Sequence, residues 1–347
     1  MTTMTRAPKP KRGARALRSL GVRGHYIALV IVIGALFFTP LVAPTTAMPV
    51  LIRTLIIAIM AIGWNIMSGY GGMFSFGHAA FFGIGAYTDA VLLTKFGISP
   101  WLSMILGGAL AAGAGVLIAY LCLKYRLAGS YFALATFAFA QMFLLVSTNL
   151  KLVNGTEGIN IPILPNESWK MLQFDPGSSW YFWIPLLLAG IAIAITIAFM
   201  SSRSGQFTQA IRDDAVAAES LGINLMRYRL VPVAISCAIT AVAGVFYVQY
   251  YLFIGPDQAF GLTVTTNSIV PAVIGGMSTF WGPLIGAALI GPLSAVIANL
   301  VRTPPPFLGF VKGLSGLDVA TYAVLLIAIV IFLPKGIYGT IRERVRR

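Results

Sequence analysis

The sequence predicts an all-α, polytopic membrane protein of about ten transmembrane helices with both termini on the cytoplasmic side. Hydrophobic residues make up 58% of the 347 and charged residues only 10%, with a mean hydropathy of +0.86; an average soluble domain is about a quarter charged. Long apolar blocks recur between short polar joints, and about 20 apolar residues in a helix cross a hydrocarbon core of about 30 Å. The basic residues sit at the ends of those blocks. The net charge of +14 therefore reads as membrane topology and not as a nucleic-acid surface.

The tail 1–25 contains Arg6, Lys9, Lys11, Arg12, Arg15, Arg18 and Arg23 and no acid, which holds it in the cytoplasm. The first span is Tyr26–Val42. The small residues "APTTA" after it imitate a cleavage site, but the long basic region and the many later spans favour a retained helix. Further spans fall at Val50–Ser68, Phe74–Thr94, Trp101–Leu123, Gly129–Thr148 and Trp180–Met200. Four more fall at Tyr228–Phe253, Leu262–Ile274, Pro283–Leu300 and Leu317–Leu333. The eighth is short enough to be kinked or re-entrant. A basic tail, 335–347, follows the membrane domain 26–334.

Charge tests this arrangement. Of the 24 Lys and Arg, eighteen fall in cytoplasmic segments and five outside: Lys95, Lys151, Lys170, Arg302 and Lys312. Arg53 opens the second span and can snorkel to the interface. Shifting the register by one helix destroys the bias.

Two hydrophilic segments interrupt the spans. The external loop 150–179 is rich in Asn, Gly and Pro and carries Glu157, Glu167 and Asp175. Its "NGT" at Asn154 and "NES" at Asn166 match glycosylation sequons, for which chance is a sufficient explanation. The cytoplasmic loop 201–227 reads as a short helix. Asp213 or Asp214 N-caps it, "AVAAESL" propagates it and Gly222 stops it. So short a helix is unstable alone in water and needs a surface to pack on.

The chemistry that is missing narrows the function. No Gly-Lys dipeptide occurs, so no phosphate-cradling Walker A loop is present. Cys122 and Cys237 lie far apart in apolar sequence, and His25 and His78 are the only histidines, so no metal site is expected. No Gly-x-Ser-x-Gly nucleophile elbow and no paired carboxylates within spans support hydrolysis. His78 and Asp89 are too few for an ion relay. His78 is expected to be hydrogen-bonded in a packing seam, and Asp89 to be solvated or capping near the outer surface.

The stretch "SFGHAAFFGIGAY" nonetheless places Ser75, His78 and Tyr87 among Gly77, Gly83 and Gly85 in a span. Gly77, Ala80 and Gly83 fall on nearly one helix face, where small residues let helices approach closely. A glycine-interrupted helix also breaks readily, and broken helices line transport paths. These six residues are therefore read as central packing or as translocation path, both readings being open. The segment "VIGGMSTFWGPLIGAALIG" has the same habit and reads as a tight turn with close packing.

Together these stretches resemble the M-type permease subunit of bacterial branched-chain amino acid ABC importers. The matching wording is "GWNIMSGYGGMFSFGHAAFFGIGAYT" (Gly63–Thr88), "YFALATFAFAQ", "NGTEGI", "AIRDDAVAAESLGIN" (Ala210–Asn224) and "VIGGMSTFWGPLIGA", in family order over most of the chain. The "SFGHAAFFGIGAY" wording distinguishes M-type from H-type. The resemblance implies an ABC importer permease fold in the bacterial inner membrane that is not itself an enzyme and binds no cofactor. It also implies an H-type permease partner, two cytoplasmic ATPase subunits that use ATP, and a periplasmic substrate-binding protein.

It further implies that the loop between spans six and seven docks on an ATPase. "VAAESLG" looks like the permease coupling motif, with Val216 where glutamate is usual and Pro232 about three residues early. Asp213, Asp214, Ala217, Ala218, Glu219 and Gly222 are the coupling residues by that resemblance. The expected function is uptake of leucine, isoleucine or valine by alternating access. Alternatives are a permease of the same family for urea, amides or aromatic acids, and an ion-coupled secondary carrier.

Overall fold

In a computed structural model, residues 12–163, 168–175, 177–302 and 336–340 are described. Most of them are helical. The first helix, α1 (Arg12–Phe37), begins well before the expected span and is followed across Phe38 by the single turn α2 (Thr39–Val42), whose Pro40 is accommodated at a helix start. The second span is α3 (Met48–Trp64), also opened by a proline at its start and continued by a π-helical segment, Asn65–Tyr70.

The chain then leaves helical geometry until α4 (His78–Phe96). The third span was expected from Phe74, so the start shifts by four residues. Hydrogen bonds explain the shift: Ser68 Oγ donates to the Met73 carbonyl and accepts from Ser75 N–H, while Ser75 Oγ accepts from Gly77 N–H. These side chains satisfy backbone groups that a helix would otherwise have paired.

The next spans match the apolar blocks closely: α5 (Pro100–Lys124), α6 (Ser130–Asn149) and α7 (Trp180–Ser201). The loop 201–227 holds two helices where one was expected, α8 (Arg203–Asp213) and α9 (Ala215–Ser220). Asp214 separates them with φ −155°, and its carboxylate accepts from the Val216 and Ala217 amides. Gly222 ends the turn at φ +79°, the left-handed region that favours glycine. Then come α10 (Leu225–Tyr251), α11 (Pro256–Phe260), α12 (Leu262–Gly275) and α13 (Gly282–Arg302). Pro232 lies inside α10. The expected tenth span, Leu317–Leu333, lies outside the described residues, as do Asn166, Glu167, residues 1–11 of the first tail and most of the tail 335–347.

Six helices among the described residues are long and apolar enough to cross a membrane: the segments 23–42, 45–70, 100–124, 130–149, 180–201 and 225–251. The helix α10 is the central post, packed on α3, α4 and α5. Large apolar side chains on its neighbours, among them Trp64, Phe81 and Phe82, are fully buried around it. By contrast α5 and α6 leave Ile105, Leu110, Leu117, Leu134 and Leu145 exposed, as lipid-facing or partner-facing surfaces require.

At the opposite end from α8 and α9, a two-residue strand, β1 (Ile159–Asn160), pairs antiparallel with β2 (Phe253–Ile254). That pairing ties the long loop to the end of α10. Trp169 packs edge-on against Trp180 and Phe174 beside it.

Candidate functional site

The Ser75–Tyr87 stretch lies in the interior of the bundle. Ser75 and His78 are fully buried and Tyr87 nearly so. The Ser236 hydroxyl has one proton and donates it to the Gly63 carbonyl at 2.6 Å. The 2.9 Å contact between Ser236 Oγ and His78 Nε2 therefore assigns the imidazole proton to Nε2. His78 Nδ1 has no hydrogen-bond partner among the described residues. The relay joins α4, α10 and α3 through His78, Ser236 and Gly63.

Two threonines anchor the non-helical segment before His78. Thr136 of α6 accepts from the Phe76 amide at 3.2 Å, and Thr265 of α12 donates to the Phe76 carbonyl at 3.1 Å. Trp64 Nε1 donates to the Ser75 carbonyl at 2.9 Å. The break in the third span is thus held from three helices, α3, α6 and α12.

The glycines do not form one seam. Gly77 precedes α4 and faces Thr136; Gly83 faces the Phe260 ring of α11; Gly85 faces the Ala241 backbone of α10. The expectation that Gly77 and Gly83 share a helix face is corrected, because Gly77 lies before the first turn. The break also falls before the glycines of α4, not among them. Tyr87 stacks on Phe260 with centroids 5.6 Å apart and rings 13° from parallel.

Asp89 departs from expectation more sharply. It is fully buried, and its Oδ2 accepts from the amide of Gln249 on α10. Burial of a carboxylate in hydrocarbon demands such a partner, and this one lies 160 residues away in the chain. Cys122 and Cys237 are buried thiols, as expected.

The loop 201–227 is joined to the bundle by a residue that sequence reasoning counted only as topology. Arg212, at the end of α8, donates from Nη1 to the Gly69 carbonyl at 3.2 Å and to Ser278 Oγ at 2.9 Å. Its Nε and Nη2 both reach Asp213 Oδ1, at 3.0 and 2.9 Å. Ser278 in turn donates from Oγ to Gly69, and its amide donates to Asn65 Oδ1. Asn65 Nδ2 closes the circuit on the Thr279 carbonyl at 2.9 Å. One cluster therefore joins α8, the π-helical end of α3 and the turn between α12 and α13. Its only advance signal was an arginine placed directly before two aspartates.

On α9, Ala218 is buried while Val216 and, just beyond it, Leu221 are 75% and 81% exposed. Ala217, Glu219 and Gly222 are exposed with them. Asp213 holds Arg212, and Asp214 caps the helix. Five of the six expected coupling residues, Asp213, Asp214, Ala217, Glu219 and Gly222, are exposed along one stretch that begins at the Arg212 cluster, whereas Ala218 is buried.

Residues 46–333 match the family described as "Branched-chain amino acid transport system / permease component". The chain is 26% identical over 258 residues to the high-affinity branched-chain amino acid transport system permease protein LivM of Escherichia coli, covering 68% of this chain and 60% of that protein. It thus spans about three fifths of the length of that LivM relative. It is 28% identical over 300 residues to LivH of Salmonella typhimurium, covering 81% of this chain and 91% of that protein. The probable LivM of Methanocaldococcus jannaschii is 23% identical over 315 residues. No solved structure matches. With most of its length matched from the second span onward, the chain belongs to the branched-chain amino acid transport permease family.

Proposed function

We propose that the chain is the M-type, membrane-spanning permease subunit of an ATP-binding cassette importer for branched-chain amino acids in the bacterial inner membrane. It crosses the bilayer ten times with both termini in the cytoplasm. It pairs with an H-type permease, docks two cytoplasmic ATPases and receives substrate from a periplasmic binding protein. Family membership, the six long apolar helices and relatives named as LivM and LivH permeases support the reading. The chain carries no Walker A dipeptide of its own, so the energy comes from the partner subunits.

The observation that carries the mechanism is the clamp of Arg212 onto Gly69 and Ser278. An ATPase that moves α9 through the exposed Val216 and Leu221 pulls on α8. Arg212 passes that displacement to the broken end of α3 and to the α12–α13 turn. These are the elements whose relative position can open one side of the bundle and close the other. Alternating access follows when ATP and the loaded binding protein stabilise different arrangements.

The test is Gly222→Pro. Proline has φ fixed near −65°, which is incompatible with the +79° at this exposed position, so the end of α9 is remodelled while the bundle is untouched. The assembled transporter is expected to hydrolyse ATP without uptake. Wild-type uptake by this variant overturns the coupling role.

A further inference from the structure

A cleft of about 480 Å3 opens between α3, α4, α10, α11 and α12, within the size range of small-molecule sites. Ile56, Ile57 and Met60 of α3, Phe82 of α4 and Val264 of α12 line it and are buried, so its floor is apolar. Its rim carries one charge of each sign, Arg53 on α3 and Asp257 on α11, both exposed. They do not neutralise each other: the ion pair found among the described residues is that of Arg212 with Asp213. Asn267 of α12 adds a neutral polar group beside them.

An apolar floor beneath two separated, opposite charges is complementary to a zwitterion with an alkyl side chain. A guanidinium recognises a carboxylate with two parallel N–H donors, and a carboxylate accepts from an ammonium group. The isoleucine, methionine and phenylalanine side chains remove the alkyl group from water, at about 25 cal/mol per Å2. The cleft also sits well away from the coupling end. Arg53 and Gly69 are sixteen residues apart along α3 and its π-helical extension, about 24 Å at 1.5 Å per residue.

We propose that this cleft is the permease's receiving site for a zwitterionic α-amino acid. Arg53 holds the α-carboxylate, Asp257 the α-ammonium, and the floor of Ile56, Ile57, Met60, Phe82 and Val264 the aliphatic side chain. The proposal rests on the reading of the chain as an amino acid permease and adds the place and the groups that bind.

The test uses the complete transporter, with its partner permease, ATPases and binding protein, in proteoliposomes supplied with labelled L-leucine. Arg53→Gln and Asp257→Asn neutralise exposed groups and leave the packed bundle unchanged. Each is expected to lower leucine uptake about tenfold or more, the cost of losing a charge-assisted contact. Stimulation of ATP hydrolysis by leucine-loaded binding protein is expected to stay at the wild-type level. A third variant, Thr263→Cys, reports access, since the two native cysteines are buried. Its modification by a cationic methanethiosulfonate, read from the mass of this chain, is expected to be slowed during leucine transport.

Uptake within twofold of wild type in both charge variants overturns the cleft. So does loss of ATPase stimulation together with uptake, which assigns the charges to docking of the binding protein. A thiol at 263 that stays unreactive in the assembly overturns it too, because the partner permease then covers the cleft. Wild-type transporter that neither takes up leucine nor responds to leucine-loaded binding protein overturns the amino acid reading first, and the cleft with it.

Discussion

Arg212 donates from Nη1 to the backbone carbonyl of Gly69, 3.2 Å away, joining the loop helix α8 to the end of α3, 143 residues earlier in the chain. The acceptor is a main-chain oxygen in a π-helical segment. Such segments leave backbone groups outside the regular i to i−4 ladder, and they recur at functional sites.

The first prediction concerns this contact. Arg212→Ala removes the donors to Gly69 and to Ser278 and leaves both acceptors at a partly buried junction. Hydrogen bonds from a charged group contribute about 1.5–3 kcal/mol each. Uptake is expected to fall at least tenfold while ATP hydrolysis persists. Arg212→Lys is not expected to restore it, since an ammonium cannot replace a fork that holds Gly69, Ser278 and Asp213 at once. Uptake and hydrolysis measured on the same proteoliposomes check this.

His78 is expected to matter for stability and not for substrate affinity. Ser236→Ala leaves the Nε2 proton of His78 without an acceptor and removes a donor from the Gly63 carbonyl in a fully buried setting. The loss is about 1–3 kcal/mol, read as a lower Tm of the purified assembly. His78→Ala is expected to lower the Tm as well and to leave the KM for uptake unchanged. A raised KM with an unchanged Tm would move His78 from packing to the path.

Asp89 and Gln249 make a sharper pair of variants. Asp89→Asn retains an oxygen that can accept from the Gln249 amide and is expected to fold. Asp89→Leu leaves that amide without an acceptor in the bundle interior, and its yield of folded protein is expected to drop severalfold. Size-exclusion profiles of the two variants, expressed side by side, check the order.

A packing prediction separates the glycines. A Cβ on Gly85 would meet the Ala241 backbone, and one on Gly244 would meet the Phe82 carbonyl, so α4 and α10 touch main chain to main chain. Gly85→Ala is expected to force the helices apart at about 1–3 kcal/mol. Gly113→Ala on α5, where the added atom meets nothing within 4 Å, is expected to leave the Tm in place.

Local chemistry was legible in the sequence. The Gly222 stop was legible, and the cap was narrowed to Asp213 or Asp214, of which Asp214 serves, because each acts within three or four residues of itself. The apolar blocks of α5, α6, α7 and α10 were placed to within about three residues at each end, since span length is set by bilayer thickness. What escaped depends on distant partners. Asp89 was expected near solvent because Gln249, which makes its burial tolerable, lies on another helix. The break before His78 was expected among the glycines, whereas Ser68 and Ser75 create it with side-chain hydrogen bonds to the backbone. Arg212 and Arg53 were counted as topology and snorkelling charges. Only the fold brings one to Gly69 and Ser278 and the other to the rim of a cleft facing Asp257.

The central claim is that this chain couples ATP hydrolysis in partner subunits to delivery of a branched-chain amino acid. It is tested most directly by the ATPase rate of the reconstituted assembly with its binding protein, loaded with leucine, isoleucine or valine or left empty. The account predicts a several-fold higher rate with the loaded protein, abolished by removing any one partner subunit. Equal rates with loaded and empty binding protein, for all three amino acids, would contradict it.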